Sequence, residues 1–172
     1  MSSVHSLVSL GRSAGQWLRH QLLRPFRRDR VEGIYNYLPL APDLLTSGQP
    51  TEAQLAHLRD LGVRRVINLA PVTADNALAD EAGTVAALGM AYTHIPVDFK
   101  APTDEDFRRF CAAMAARQGE KTLIHCAANM RVSAFVYRYR CEVLGEPAAR
   151  ARRDLHRIWH PQGVWQDFVR GR

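Results

Sequence analysis

The chain has 172 residues, 47% hydrophobic and 23% charged, with a net charge of +6. This is room for one domain with a real core, in a composition ordinary for a soluble globular protein. The positive charge is concentrated in residues 1–30, where six arginines face one acid, so the rest is nearly neutral and nucleic-acid binding by the domain is not indicated. Cysteine stands at 111, 126 and 141, without C-x-x-C spacing. That pattern argues against zinc and against a disulfide framework, and it suits a reducing, cytoplasmic setting. No apolar run approaches the ~20 residues that span a bilayer, and the N-terminus lacks the apolar stretch and cleavage site of a signal peptide.

Residues 1–30 form a basic, amphipathic extension ahead of a domain at 31–172. Val4, Leu7, Val8, Gly11, Ala14, Leu18, Leu22 and Phe26 recur at three- and four-residue steps. Such a helix either packs on the domain (or frays), which the pattern favours, or lies on anionic lipid as a peripheral membrane contact.

Two short strand-like runs follow, Ile34 to Tyr37 and Leu44 to Ser47, separated by proline-containing turns. Pro50 or Thr51 opens a helix through Leu55, Leu58 and Leu61 that Gly62 stops. "RRVINL" reads as a strand buried on both faces. Residues 75 to 88 read as a helix ending at Gly89, and "AYTHIPV" as a strand. Thr103 caps a helix whose first turn holds Asp104, Glu105 and Asp106, running to about Arg117. "KTLIH" is the next strand, residues 130 to 144 a helix ended by Gly145, and shorter helical pieces lie near 147 to 158 and 162 to 170. Strands and helices alternate from residue 44 onward. The expected fold is therefore α/β: one domain with a mainly parallel sheet of four to five strands and helices on both faces. Ligands in such sheets bind beyond the carboxyl ends of the strands.

Cys126 sits at such an end, in "LIHCAANMRVS". The N–H groups of Ala127, Ala128, Asn129, Met130 and Arg131 can converge as the chain turns into a helix, and such a nest binds an anion. A thiol there is favoured as its thiolate. Arg131 adds a planar fork for two phosphate oxygens. The set provides a nucleophile, an oxyanion cradle and a clamp for a phosphoryl group, with no metal or cofactor. A proton donor is also needed, and Asp98 in "HIPVDFKAPTDEDF" is placed beyond the previous strand, on the same edge. Asp104 is second, because it belongs to a helix's first turn. Ser133 could hydrogen-bond the leaving thiolate, and His125 either orders the loop or is a satisfied core histidine. Taken singly, Cys126 reads as a small buried hydrophobe and Arg131 as a solvated first-turn residue. Cys111 and Cys141 read as packing, and Tyr137, Arg138, Tyr139 and Arg140 as packing plus solvated charge.

These residues resemble the cysteine-dependent protein tyrosine and dual-specificity phosphatases, whose loop reads H-C, five residues, R, then S or T. "LLTSGQPTEAQLAHLRDLGVRRVINL" and "GMAYTHIPV" resemble a bacterial branch, the beta-lactamase-hydrolase-like phosphatases, over about residues 32 to 145. The resemblance implies a dual-specificity-phosphatase-like fold, with Cys126 as nucleophile, Arg131 as phosphate ligand and Asp98, 28 residues earlier, as general acid. Here the arginine follows after four residues, as in the bacterial branch, and Val132 stands where the arginine usually does. Asn129 replaces the usual glycine, and asparagine tolerates a left-handed backbone better than other side chains.

Three functions remain open at this point. The first is a phosphatase acting on a phosphorylated protein or a small phosphomonoester through a cysteinyl-phosphate. The second is a phosphate-binding module without turnover. The third is rhodanese-like sulfur transfer through a persulfide on Cys126, which would leave Asp98 unexplained. Oligomeric state is not encoded in these patterns.

Overall fold

The computed structural model describes residues 29–171; the N-terminal stripe lies outside the described residues. A short 3-10 turn, Val31–Gly33, leads into β1 (Leu38–Ala41) and β2 (Leu44–Ser47). Then follow α1 (Glu52–Asp60), β3 (Arg65–Asn68), α2 (Glu81–Ala87), β4 (Ala91–His94), α3 (Asp104–Ala116) and β5 (Thr122–His125). The chain closes with α4 (Met130–Glu142), α5 (Ala148–Ile158) and α6 (Val164–Val169). The five strands lie in the order β1-β2-β5-β3-β4. Only β1 runs antiparallel, so Ser47, His125, Asn68 and His94 end side by side on one edge. The central strand is β5, and the cysteine loop therefore leaves from the middle of that edge.

Alternation along the strands sorts side chains into two cores. Leu45, Val66 and Leu123 face a layer with Leu55 and Leu58 of α1 and Val85 of α2. Ile67, Ile124 and Cys126 face the other layer, with Phe107, Phe110, Phe135, Trp165 and Phe168 from α3, α4 and α6. His125 thereby falls on the α2 side and Cys126 on the α4 side, a direct result of the two-residue period.

Local chemistry sets the helix starts. Thr51 and Thr103 each form a capping box, with Gln54 and Asp106. Asp80 caps α2 by accepting from the Gly83 N–H. No helix among the described residues is long and apolar enough to cross a membrane.

Four expectations need correction. Ile34 to Tyr37 is not a strand: Asn36 takes a left-handed backbone (φ 51°), and the strand follows at Leu38–Ala41. Pro39 is tolerated there because β1 is the sheet's edge. The helix expected over 75 to 88 begins only at Glu81, since Asn76 is drawn away to donate to the Ala127 carbonyl (3.0 Å). Pro96 supplies no N–H, and β4 ends at His94, although Ile95 and Val97 still donate to Asn68 and Leu69. Arg138 and Arg140 are not solvated charges. Helices α5 and α6 cover that face: Arg138 pairs with Asp104 (2.6 Å) and Glu142 (2.7 Å), and Arg140 with Glu146 and Asp154. Cys111 and Cys141 pack against the cores.

One close backbone approach joins the sheet edge to the cysteine loop. Gly48 bridges to Ala128, and a Cβ there would meet the Tyr35 carbonyl at 2.9 Å and the Ala127 carbonyl at 3.0 Å. Neither oxygen is free to move, because the Gly48 N–H donates to the first (2.7 Å) and the Gln49 N–H to the second (3.3 Å). Gly48→Ala is expected to lose about 1–3 kcal/mol in urea denaturation, the usual cost of overpacking; an unchanged midpoint would contradict this close approach.

Candidate active site

The loop after β5 is held by its carbonyls. Ala127 O accepts from the Gln49 N–H (3.3 Å) and Asn76 Nδ2 (3.0 Å), and Ala128 O accepts from Asn36 Nδ2 (3.0 Å). A trans peptide places the next N–H opposite each carbonyl, so the Ala128 and Asn129 amides are turned away from these anchors. The N–H groups of Ala127, Ala128, Met130 and Arg131 have no protein acceptor among the described residues. Asn129 closes the turn in the left-handed region (φ 64°, ψ 1°) as the N-cap of α4. Its buried side chain donates to the Asn36 carbonyl (2.8 Å) and to Thr46 Oγ1 (3.1 Å). Asn36 and Asn129 thus brace each other across the loop, and the left-handed residue supplies the turn with only four residues between cysteine and arginine.

Cys126 is fully buried beneath this loop, its N–H donating to the Ser47 carbonyl (3.3 Å). Above the loop lies a cavity of about 580 Å³ lined by Tyr35, Thr73, Asp75, Ala127, Ala128 and Arg131, among others. Arg131 is fixed at its stem: Nε donates to the Val97 carbonyl (3.0 Å), and the guanidinium lies 5.1 Å from the centre of the Phe99 ring. Its two terminal nitrogens have no protein acceptor among the described residues.

Asp98 stands between two clamped residues. Arg131 holds the carbonyl of Val97, and Trp165 Nε1 donates to that of Phe99 (2.8 Å). Asp98 itself is exposed, and its Oδ1 accepts from the Lys100 N–H (2.8 Å). Phe99, Trp159 and Trp165 form one aromatic cluster with ring centres 5.2–6.0 Å apart. The tail "IWHPQGVWQDF", which carries no part of the family motif, therefore supports the loop bearing Asp98. Trp159 Nε1 also donates to the Met130 carbonyl (3.1 Å) and to Ser133 Oγ (3.2 Å). Ser133 gives its own proton to Met130 O (3.0 Å) and makes no hydrogen bond to Cys126 among the described residues. The second-choice acid, Asp104, is taken by Arg138.

His125 is fully buried, with Nε2 2.8 Å from Glu81 Oε1. Gln49 Nε2 donates to the same oxygen (3.1 Å), and Asn68 Nδ2 (2.6 Å) and the Tyr92 hydroxyl (3.0 Å) donate to Oε2. Burial alone would push the Glu81 carboxyl up, but the hydrogen bond and charge of His125, aided by Gln49 and Tyr92, hold it below the usual value. Burial pushes the Tyr92 phenol well up. Sequence reading missed Glu81, since a carboxylate in a helix's first turn ordinarily serves the dipole. It also missed Asp75, whose neighbour Asn76 is bonded to the cysteine loop.

A parallel sheet that delivers a cysteine to an amide-lined loop, with an arginine from the following helix over the same cavity, defines a protein of the cysteine-phosphatase type. Residues 40–163 match the family model described as DSP-PTPase phosphatase fused to NAD+ kinase, and the chain belongs to that family. A DUF442 protein of Shewanella putrefaciens CN-32 is 37% identical, with a TM-score of 0.74 over 82% of this chain and 93% of that one. The beta-lactamase hydrolase-like protein of Xylella fastidiosa (strain Temecula1) is 33% identical over 91 residues. That match takes in 51% of this chain and 21% of the relative, so the chain corresponds to about a fifth of its length. TpbA of P. aeruginosa, 22% identical over 82% of this chain and 86% of its own, shares the fold with a TM-score of 0.65. The expected class of fold and the family resemblance are both borne out.

The left-handed turn gives a simple test. Asn129→Gly and Asn129→Ala lose the same side-chain hydrogen bonds, but only alanine bears the left-handed penalty of about 1–2 kcal/mol. Alanine is expected to be the less stable of the two in thermal melts, the reverse of the order inside a helix; alanine matching or exceeding glycine would contradict the turn.

Proposed function

We propose that this chain hydrolyses phosphomonoesters through a cysteinyl-phosphate. The Cys126 thiolate attacks phosphorus while the loop amides and the terminal nitrogens of Arg131 hold the non-bridging oxygens. Asp98 gives a proton to the leaving oxygen as the P–O bond breaks. Water, deprotonated by the same carboxylate, then cleaves the P–S bond and releases phosphate and thiolate. The observation that carries this reading is the double engagement of Arg131. Arg131 lines the cavity over the loop, its terminal nitrogens have no protein acceptor among the described residues, and its Nε is bonded to the residue before Asp98. One side chain thereby ties the phosphate clamp to the acid's segment.

The substrate class is a phosphorylated protein or a small phosphomonoester. TpbA has been crystallised as a variant in complex with phosphotyrosine, which supports an aryl phosphate as the assay substrate. Sulfur transfer has less support, because a persulfide mechanism has no use for an acid clamped on both sides. A second donor reading is favoured by one observation: Asp75, rather than Asp98, lines the cavity.

Cys126→Ser is expected to abolish hydrolysis of an aryl phosphate, and retained turnover would end the proposal. Asp98→Asn should lower the rate about a hundredfold, within the usual range for a general acid. If Asp75→Asn does this instead, the donor is Asp75. Phosphate binding without turnover in the unaltered protein would make the chain a binding module.

A further inference from the structure

The buried Glu81–His125 pair has no part in the reaction as derived above, yet it lies directly behind the nucleophile. Glu81 is only 7% exposed and His125 not at all. Three hydrogen-bond donors converge on the two carboxylate oxygens, Gln49 Nε2 on one and Asn68 Nδ2 and the Tyr92 hydroxyl on the other, and His125 Nε2 lies 2.8 Å from the first as an ion pair. An ionised carboxylate, which only accepts, suits all four neighbours at once. A glutamine in its place would turn an amide donor toward existing donors. Because a carboxylate cannot donate, the 2.8 Å contact requires the proton to sit on His125 Nε2. Four elements reach this one carboxylate: the segment after β2, then β3, β4 and β5.

We propose that Glu81 is a positioning residue for the nucleophile: by holding the Nε2 proton of His125 it fixes the ring, and through the ring it fixes the backbone from which Cys126 projects. The proposal rests on the reading of Cys126 as nucleophile. Its geometric basis is continuity. His125 precedes Cys126, and its register partners Ser47 and Asn68 are also tied to the site. The Ser47 carbonyl accepts the Cys126 N–H, and Asn68 donates to Glu81. A rotation of the imidazole would displace the first residue of the anion cradle, and small misplacements of reacting groups cost much in rate. The lowered carboxyl of Glu81 agrees with an anion held by donors.

A merely structural carboxylate would look alike in a melting curve, so the test needs other readouts. Three are made on the full chain: the His125 ring N–H by nitrogen NMR, affinity for inorganic arsenate by calorimetry, and kcat and KM for an aryl phosphate. Glu81→Gln is expected to lose the slowly exchanging Nε2–H signal. It should weaken arsenate binding several-fold and lower kcat about tenfold or more, with Glu81→Asp recovering part of each. Val85→Ala loosens the same helix without touching His125, and should lower the melting temperature while leaving all three readouts in place. In a double-mutant cycle, adding Glu81→Gln to His125→Asn should cost little further, because both act through one ring. Arsenate affinity and kcat within about twofold of the unaltered protein in Glu81→Gln, or fully additive effects in the cycle, would overturn the proposal. Should the chain prove to bind without turnover, arsenate affinity and the NMR signal still decide the role of Glu81, so the two readings fail separately.

Discussion

The hydrogen bond from Arg131 Nε to the Val97 carbonyl is the interaction on which the site depends. It fixes a long, flexible cation by its stem and leaves the terminal nitrogens without a protein acceptor among the described residues. An arginine with all its donors engaged could not clamp phosphate, and one with none would lose side-chain entropy on every binding event. The bond also joins two segments distant in sequence, the start of α4 and the end of the β4 strand path. Phe99 beneath the guanidinium and Trp165 on the Phe99 carbonyl complete this arrangement. Arg131, the segment Val97–Phe99 and the C-terminal helices are consequently one packed unit.

The cysteine loop is set by a second economy of contacts. Its carbonyls are bound outward by Gln49, Asn76 and Asn36, and the N–H groups of Ala127, Ala128, Met130 and Arg131 have no protein acceptor among the described residues. Asn129 in the left-handed region turns the chain into α4. With four residues between Cys126 and Arg131, the arginine lines the cavity from the helix's first turn. The start of α4, a helix of 13 residues with no acid in its first turn, favours an anion at the same loop.

Much of this was legible in the chain. The alternation of strands and helices, the caps at Thr51 and Thr103, and the strand ending at His125 follow from periodicity and from hydrogen-bonding side chains, which act locally. Asn129 could be read because its backbone preference is its own. The misses share one cause, tertiary hydrogen bonds made by residues with an ordinary local role. Asn76 looks like part of a helix until its amide is seen on Ala127. Glu81 looks like a first-turn acid until Gln49, Asn68, Tyr92 and His125 are found around it. Trp159 and Trp165 look like the apolar side of two short helices until their indole N–H groups are found on Met130 and Phe99. Arg138 and Arg140 read as solvated charges because nothing local announces that α5 and α6 will cover them.

The proposed chemistry depends on where an oxyanion is held, and a crystal of the protein soaked in tungstate measures this most directly. The ion is expected above the Cys126 sulfur, within hydrogen-bond distance of the loop amides and of both terminal nitrogens of Arg131, with the Nε bond to Val97 retained. An ion bound elsewhere, or an Arg131 swung away from both the ion and the Val97 carbonyl, would contradict it.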